Sequence, residues 1–216
     1  MVRYLDALHL RLRRSRWLAR AVVATRILLA AAFIPTGLVK VLGQRFTSIS
    51  VEHPVGAFFE ALYRTGIYWQ FLGWSQVIAG LLLLVPATAT LGALLFLAIA
   101  TNIVVITLAL DFGGTPVVTV LMFVAVLGLV AWDYHRWRGV LIAGPAVEPP
   151  PLAPLRWAAL ERVLLNVGAA GGIAFFLGTR SLLPAPWPWV GLVSGLVSAV
   201  VIGGVWLAQD WPQRRA

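Results

Sequence analysis

Residues 91–110 read LGALLFLAIATNIVVITLAL, with no charge, no proline, and only Thr101, Asn102 and Thr107 interrupting the apolar side chains. At about 1.5 Å per residue a helix of this length crosses a hydrocarbon core about 30 Å thick. Lipid offers the backbone no hydrogen-bond partner, so a run like this one is expected to satisfy itself as a transmembrane helix. Toward the N-terminus a second span is expected at about 69–86, ending at Pro86, with a tight turn at Ala87 to Thr90. Before it come an amphipathic segment at 55–68, a polar loop from Gln44 to Pro54 and a first span at about 21–43. Toward the C-terminus, Asp111-Phe-Gly-Gly-Thr-Pro116 is a strong turn signal. Further spans are expected at about 117–132, 162–179 and 187–208. The fold class is thus all-α: a polytopic membrane helix bundle of about six spans.

Composition agrees. Of 216 residues 60% are hydrophobic and 12% are charged, against about a quarter charged in a soluble domain. The formal charge of +9 sits beside the apolar runs. It points to anionic lipid headgroups and topology rather than nucleic acid, for which no recognition motif is present. With no cysteine, the chain itself cannot perform thiol–disulfide exchange or hold an iron–sulfur cluster.

Four regions are expected. Residues 1–20 form a basic cytoplasmic or interfacial segment carrying Arg3, Arg11, Arg13, Arg14, Arg16 and Arg20. Residues 21–137 form a four-span membrane domain, 138–161 a proline-rich cytoplasmic linker, and 162–216 a two-span extension. The first apolar run lacks a small-residue cleavage site and is read as an uncleaved span. Basic residues concentrate before the first span, around Arg136, Arg138, Arg156 and Arg162, and at Arg214 and Arg215; Arg45, Arg64 and Arg180 fall opposite. Lys/Arg excess marks the cytoplasmic side, so an inner-membrane protein with both termini inside is expected.

Ionisable groups at membrane depth cost at least about 2.5–3.5 kcal/mol and need partners. Arg26 and Lys40 lie on nearly one face of the first span, about 21 Å apart along the axis. Asp133, closing the fourth span, is the expected ion-pair partner of Arg26. Lys40 is expected to join Gln76, Asn102, Glu60 and Asp111 in a polar cluster toward the opposite side. Snorkelling and interhelical hydrogen bonding are the plain structural alternatives. Aromatics collect at the same depth: Phe46, Phe58, Phe59, Tyr63, Tyr68, Trp69, Phe71 and Trp74. They suit an interfacial belt or the wall of a pocket for a flat lipid-soluble ligand. His9, His53 and His135 are the only histidines; none lies within a span, and no metal or haem site is expected.

The run from Arg26 through Phe33, Pro35 and Gly37 to Lys40 resembles the first span of DoxX-like membrane proteins. So do Pro54-Val-Gly-Ala-Phe58, Gly73-Trp-Ser-Gln76 with Gly80 and Pro86, Gly92 to Phe96, Asn102, Phe112-Gly-Gly-Thr115-Pro116, and Trp132-Asp133-Tyr134. The resemblance covers about residues 20–137. It implies a four-helix membrane bundle, some of whose relatives are subunits of thiosulfate:quinone oxidoreductases or of redox-stress complexes, and it transfers no catalytic residue. Three functions follow as expectations. One is a membrane subunit of a quinone-linked redox complex, in which Lys40, Gln76 and Asn102 hydrogen-bond the quinone and Glu60 or Asp111 relays protons. The second is a scaffold or assembly factor for a soluble redox partner. The third is a small-molecule or lipid transporter.

Overall fold

The apolar runs fold as helices whose ends are set by proline, glycine and hydroxyl side chains. A computed structural model describes residues 2–142, 148–149, 158–179, 184 and 186–210. Among them the chain is all helical: α1 (Val2–Arg13), α2 (Arg16–Val41), α3 (Pro54–Arg64), α4 (Ile67–Leu84), α5 (Ala89–Ala109), α6 (Thr115–Trp132), α7 (Tyr134–Leu141), α8 (Ala159–Thr179) and α9 (Trp187–Asp210). Five of these, α2, α4, α5, α6 and α9, are long and apolar enough to cross a membrane. Their exposed faces carry large apolar side chains, such as Leu91, Leu94, Val105 and Leu108 on α5 and Val117, Val118, Leu121 and Val124 on α6. Surfaces of that kind suit lipid as solvent, and the chain is a multi-pass membrane protein in contact with the bilayer. The expected span at 162–179 coincides with α8, a helix of 21 residues.

Several boundaries differ from the expected ones. The first long helix starts at Arg16 rather than near 21, because Arg16 can enter it with its long side chain exposed and Arg20 can enter it paired with Glu161. The segment after Trp132 winds into α7 and takes residues 138–141 away from the linker. Linker residues 143–147 and 150–157, together with Arg156, Arg180, Arg214 and Arg215 of the charge count, lie outside the described residues. At Pro86 the proline ring disfavours helical backbone in the preceding residue, and Val85 is extended at φ −95°, ψ 116°. The Thr88 hydroxyl then donates to the Leu82 carbonyl at 3.0 Å, closing the α4–α5 turn.

The chain divides into two compact units, residues 29–130 and residues 1–28 with 131–216. Both boundaries fall inside the region expected to be a single four-span domain. In the first unit α4 packs on α5 and α3 on α4. Gly37 and Gly73 meet backbone to backbone: a Cβ on either would stand 2.7 Å from the other's carbonyl oxygen. Only small residues allow helices to approach this closely in lipid. Buried Thr107 and Thr119 join hydroxyls at 2.8 Å between α5 and α6, and Phe33 meets Phe96 edge to face at 4.3 Å.

In the second unit α8 packs along α9. Ala24, Ile202 and Trp206 form a buried core, with Trp17, Ala21, Leu164, Leu165 and Val205 packed around it. Glu161, 1% exposed, organises this core. It accepts from the Ala158 amide at 2.7 Å and the Trp206 indole at 2.9 Å, and it pairs with Arg20 at 3.4 Å. Arg20 also donates to Gln209.

Candidate functional site

Lys40 enters the last turn of α2, where the unpaired carbonyls of a helix C-terminus favour a cation. The residue is 6% exposed. Its ammonium donates to the Gln76 side-chain oxygen at 3.0 Å and to the Thr36 carbonyl at 3.2 Å. The Phe46 ring lies 4.3 Å from the nitrogen and the Trp69 ring 5.4 Å. Cation–π attraction of this kind contributes about 0.5–2 kcal/mol, more as water is excluded. Trp69 is 1% exposed, and its indole donates to the Gln44 carbonyl at 2.9 Å. That bond ties the loop after α2 to α4 and fixes the corner.

Phe46 has a second face. It packs on Phe59 at 5.1 Å, and both line an open cleft of about 270 Å³ with Ile49, Val51, Arg45 and Glu60. The cleft exists because α3 holds the loop against it. His53 caps α3, its Nδ1 accepting from the Val55 amide at 3.2 Å, and Pro54 supplies the first turn with a residue that has no N–H to satisfy.

The expected five-residue cluster does not assemble. Lys40 and Gln76 meet; the other three residues do not join them. Asn102 is exposed on α5 and donates to its own Ala98 carbonyl at 2.9 Å, since an amide facing lipid satisfies itself on the preceding turn. Asp111 is exposed in the α5–α6 turn at φ 45°, a left-handed position that Asp and Asn tolerate. Glu60 accepts from Arg45 at 2.8 and 3.1 Å and from Arg64 at 3.0 Å. These hydrogen bonds hold its carboxyl at about 2, so it stays ionised through the range in which a proton relay would have to titrate. Of the aromatics, Trp69 and Phe46 wall the lysine, whereas Tyr68, Phe71 and Trp74 are more than half exposed and suit a belt.

The second expected pair forms. Arg26 Nη2 stands 3.0 Å from Asp133 Oδ2, and Asp133 is 2% exposed.

No family model matches the chain, and no solved structure matches it. Uncharacterized protein YwoB of Bacillus subtilis (strain 168) is 32% identical over 142 residues, spanning 62% of this chain and 90% of YwoB. The chain belongs to the YwoB family. The relation to YwoB carries no activity with it.

Two features of this YwoB-family chain have no counterpart in the sequence reading. Glu161, which falls at the end of the expected linker 138–161, is a buried acceptor for two other helices. Its proximity to Arg162 disguises it, because adjacent opposite charges read as a solvated helix end. His9 and His135 stack at 5.3 Å although one lies near the N-terminus and the other follows α6. Asp6 brings them together by accepting from Arg138 at 3.0 and 3.2 Å and from Tyr134 at 3.0 Å, which clamps α1 to α7.

Proposed function

We propose that this chain is an integral membrane subunit of a quinone-linked redox complex, which holds the quinone ring while a partner protein supplies the electrons. The observation that carries the reading is the Lys40 ammonium, buried between Gln76 and two aromatic rings beside an amphipathic cleft. A quinone needs a flat apolar wall and one or two hydrogen-bond donors to its carbonyls. A buried cation also favours the ring as it gains negative charge. Phe46 is the side chain that turns for a ring in the cleft to reach Lys40. The DoxX-like motifs of residues 20–137 support the same reading, with sulfur compounds as one class of electron source. The proposed location is the inner membrane, with six spans counting α8 and both termini inside, on the distribution of Lys and Arg.

The test is quinone binding by the purified full chain. Lys40→Met is expected to weaken binding of a short-chain ubiquinone or menaquinone at least about tenfold, the loss of one charged hydrogen bond. Binding unchanged in Lys40→Met removes this site, and absence of any quinone from organic extracts of the purified protein removes the reading. Quinone reduction on adding thiosulfate or sulfite to the isolated complex would identify the donor class.

A scaffold role is the second reading, favoured by α1. Clamped to α7 through Asp6, α1 and the turn after it leave Arg3, Arg11 and Arg14 exposed as a basic surface, suited to an acidic soluble partner. Reversing those three charges to Glu is expected to release a co-purifying partner; retention speaks against this role.

A further inference from the structure

Around the Asp133 end of the α1–α7 clamp, cationic and imidazole groups outnumber their acceptors. Arg13 on α1 lies with its guanidinium carbon 4.6 Å over the Trp132 ring. Arg13 and Arg26 on α2 both interact electrostatically with Asp133, and each also feels the charge of Arg136 on α7. His9 is 6% exposed; its ring lies 5.3 Å from His135 and 5.4 Å from Tyr134. Four atoms here are buried with no hydrogen-bond partner among the described residues: Arg13 Nε, Arg26 Nε, His9 Nε2 and His135 Nδ1. An arginine Nε can only donate, and leaving a buried charged donor unsatisfied is costly. Two such donors from two helices, interacting electrostatically with one another, and two imidazoles that feel the charge of Arg13 describe a need for acceptors that the described residues do not supply.

We infer that His9, Arg13, Arg26 and His135 form a binding site for a phosphate group, either the headgroup of an anionic phospholipid or free phosphate. A tetrahedral oxyanion offers acceptors in several directions at once and matches guanidinium geometry. A single carboxylate, Asp133, already accepts from Arg26 and cannot serve all four.

Proton uptake accompanies binding. His9 donates to the Ala131 carbonyl, so in its neutral form the second nitrogen is an acceptor and repels an anion. Burial, then Arg13, hold both imidazoles below the ordinary histidine range, His135 at about 4. The groups facing them are Asp6 and Arg13 from α1, and Asp133 and Arg136 at α7. An anion opposes the effect of Arg13 and draws a proton onto His9, so affinity rises as pH falls.

The experiment uses the full chain in detergent with two probes. Inorganic phosphate is titrated calorimetrically against a chloride background. Phosphatidylglycerol and phosphatidylcholine are offered in equal amounts, and retention is read by native mass spectrometry. Phosphatidylglycerol carries one phosphodiester charge across pH 5.5–7.5, so its pH dependence reports on the protein. Binding of phosphate identifies the free anion; selective retention of phosphatidylglycerol alone identifies the headgroup. In either case Arg13→Gln and His9→Gln are expected to weaken binding about tenfold, Arg13→Lys to retain most of it, and His9→Gln to shrink the gain on acidification. Circular dichroism accompanies each variant, and His9→Gln carries the test if Arg13→Gln does not fold. Failure of both probes to bind, or binding unchanged in both Gln variants, overturns the site.

Discussion

Glu161 shows how much one buried carboxylate can organise. It accepts from a backbone amide and an indole and pairs with Arg20, so removing it takes the carboxylate from a guanidinium and the acceptor from two N–H groups together. Glu161→Ala is expected to destabilise the protein by about 3 kcal/mol, measured by denaturant unfolding in detergent, and Glu161→Gln by less because its oxygen still accepts. A change under about 0.5 kcal/mol for Glu161→Ala would make the network ornamental. Two other residues lose their stabilising effect to acid in different pH windows. Glu60 is held at about 2, below its unfolded value. Its contribution is therefore complete above about pH 4.5 and is lost only as pH falls toward 2. His135 is held at about 4, below an unfolded value of about 6.5. The unfolded chain then binds the extra proton between those values, so stability falls as pH drops from about 6.5 to 4 and is flat above. Protection factors in α1 and α7, corrected for the slower intrinsic exchange at low pH, are thus expected to fall by pH 5 while those in α3 hold. An equal fall in both would contradict these assignments.

At the level of elements, the Gly37–Gly73 crossing sets how closely α2 and α4 approach. Gly37→Ala places a Cβ 2.7 Å from the Gly73 carbonyl and 2.8 Å from Val77, and is expected to cost about 1–3 kcal/mol. Gly128 on α6 meets nothing within 4 Å, and Gly128→Ala should be neutral or mildly stabilising. Thermal unfolding of the two variants side by side checks the pair. The helices themselves were legible because length and apolarity alone decide them, and boundaries slipped where a charged residue could still join a helix, as Arg16 does. Partners separated by depth were legible too: Arg26 finds Asp133 and Lys40 finds Gln76 because each pair must share a level in the bilayer. Rotation about the helix axis was not. α5 is apolar all round, so nothing in its sequence shows that Asn102 turns away from Lys40. Glu60 was misassigned because Arg45 and Arg64 compete for it from nearer in the chain.

For the whole molecule, the expected orientation has a direct test, since the chain contains no cysteine. Single substitutions Arg14→Cys, Ser48→Cys and Gly114→Cys occupy exposed positions or loop ends. A membrane-impermeant maleimide applied to intact cells is expected to label only the Ser48→Cys and Gly114→Cys variants, with Arg14→Cys labelled after lysis. The reverse pattern inverts the topology.

The division into two units also bears on how the protein is made. Residues 29–130 are continuous in sequence and can close as soon as they have been inserted. The other unit is assembled from both ends of the chain. Arg26 must wait for a partner 107 residues downstream, about 5–20 s at ordinary rates of translation, and Arg20 waits longer for Glu161. During that interval the ribosome has delivered a helix whose arginines precede their carboxylates. The helix α2 therefore enters the membrane ahead of its carboxylate partners and is among the last to be locked in place, which makes the nascent chain a natural client for insertion machinery that shelters charge within the bilayer.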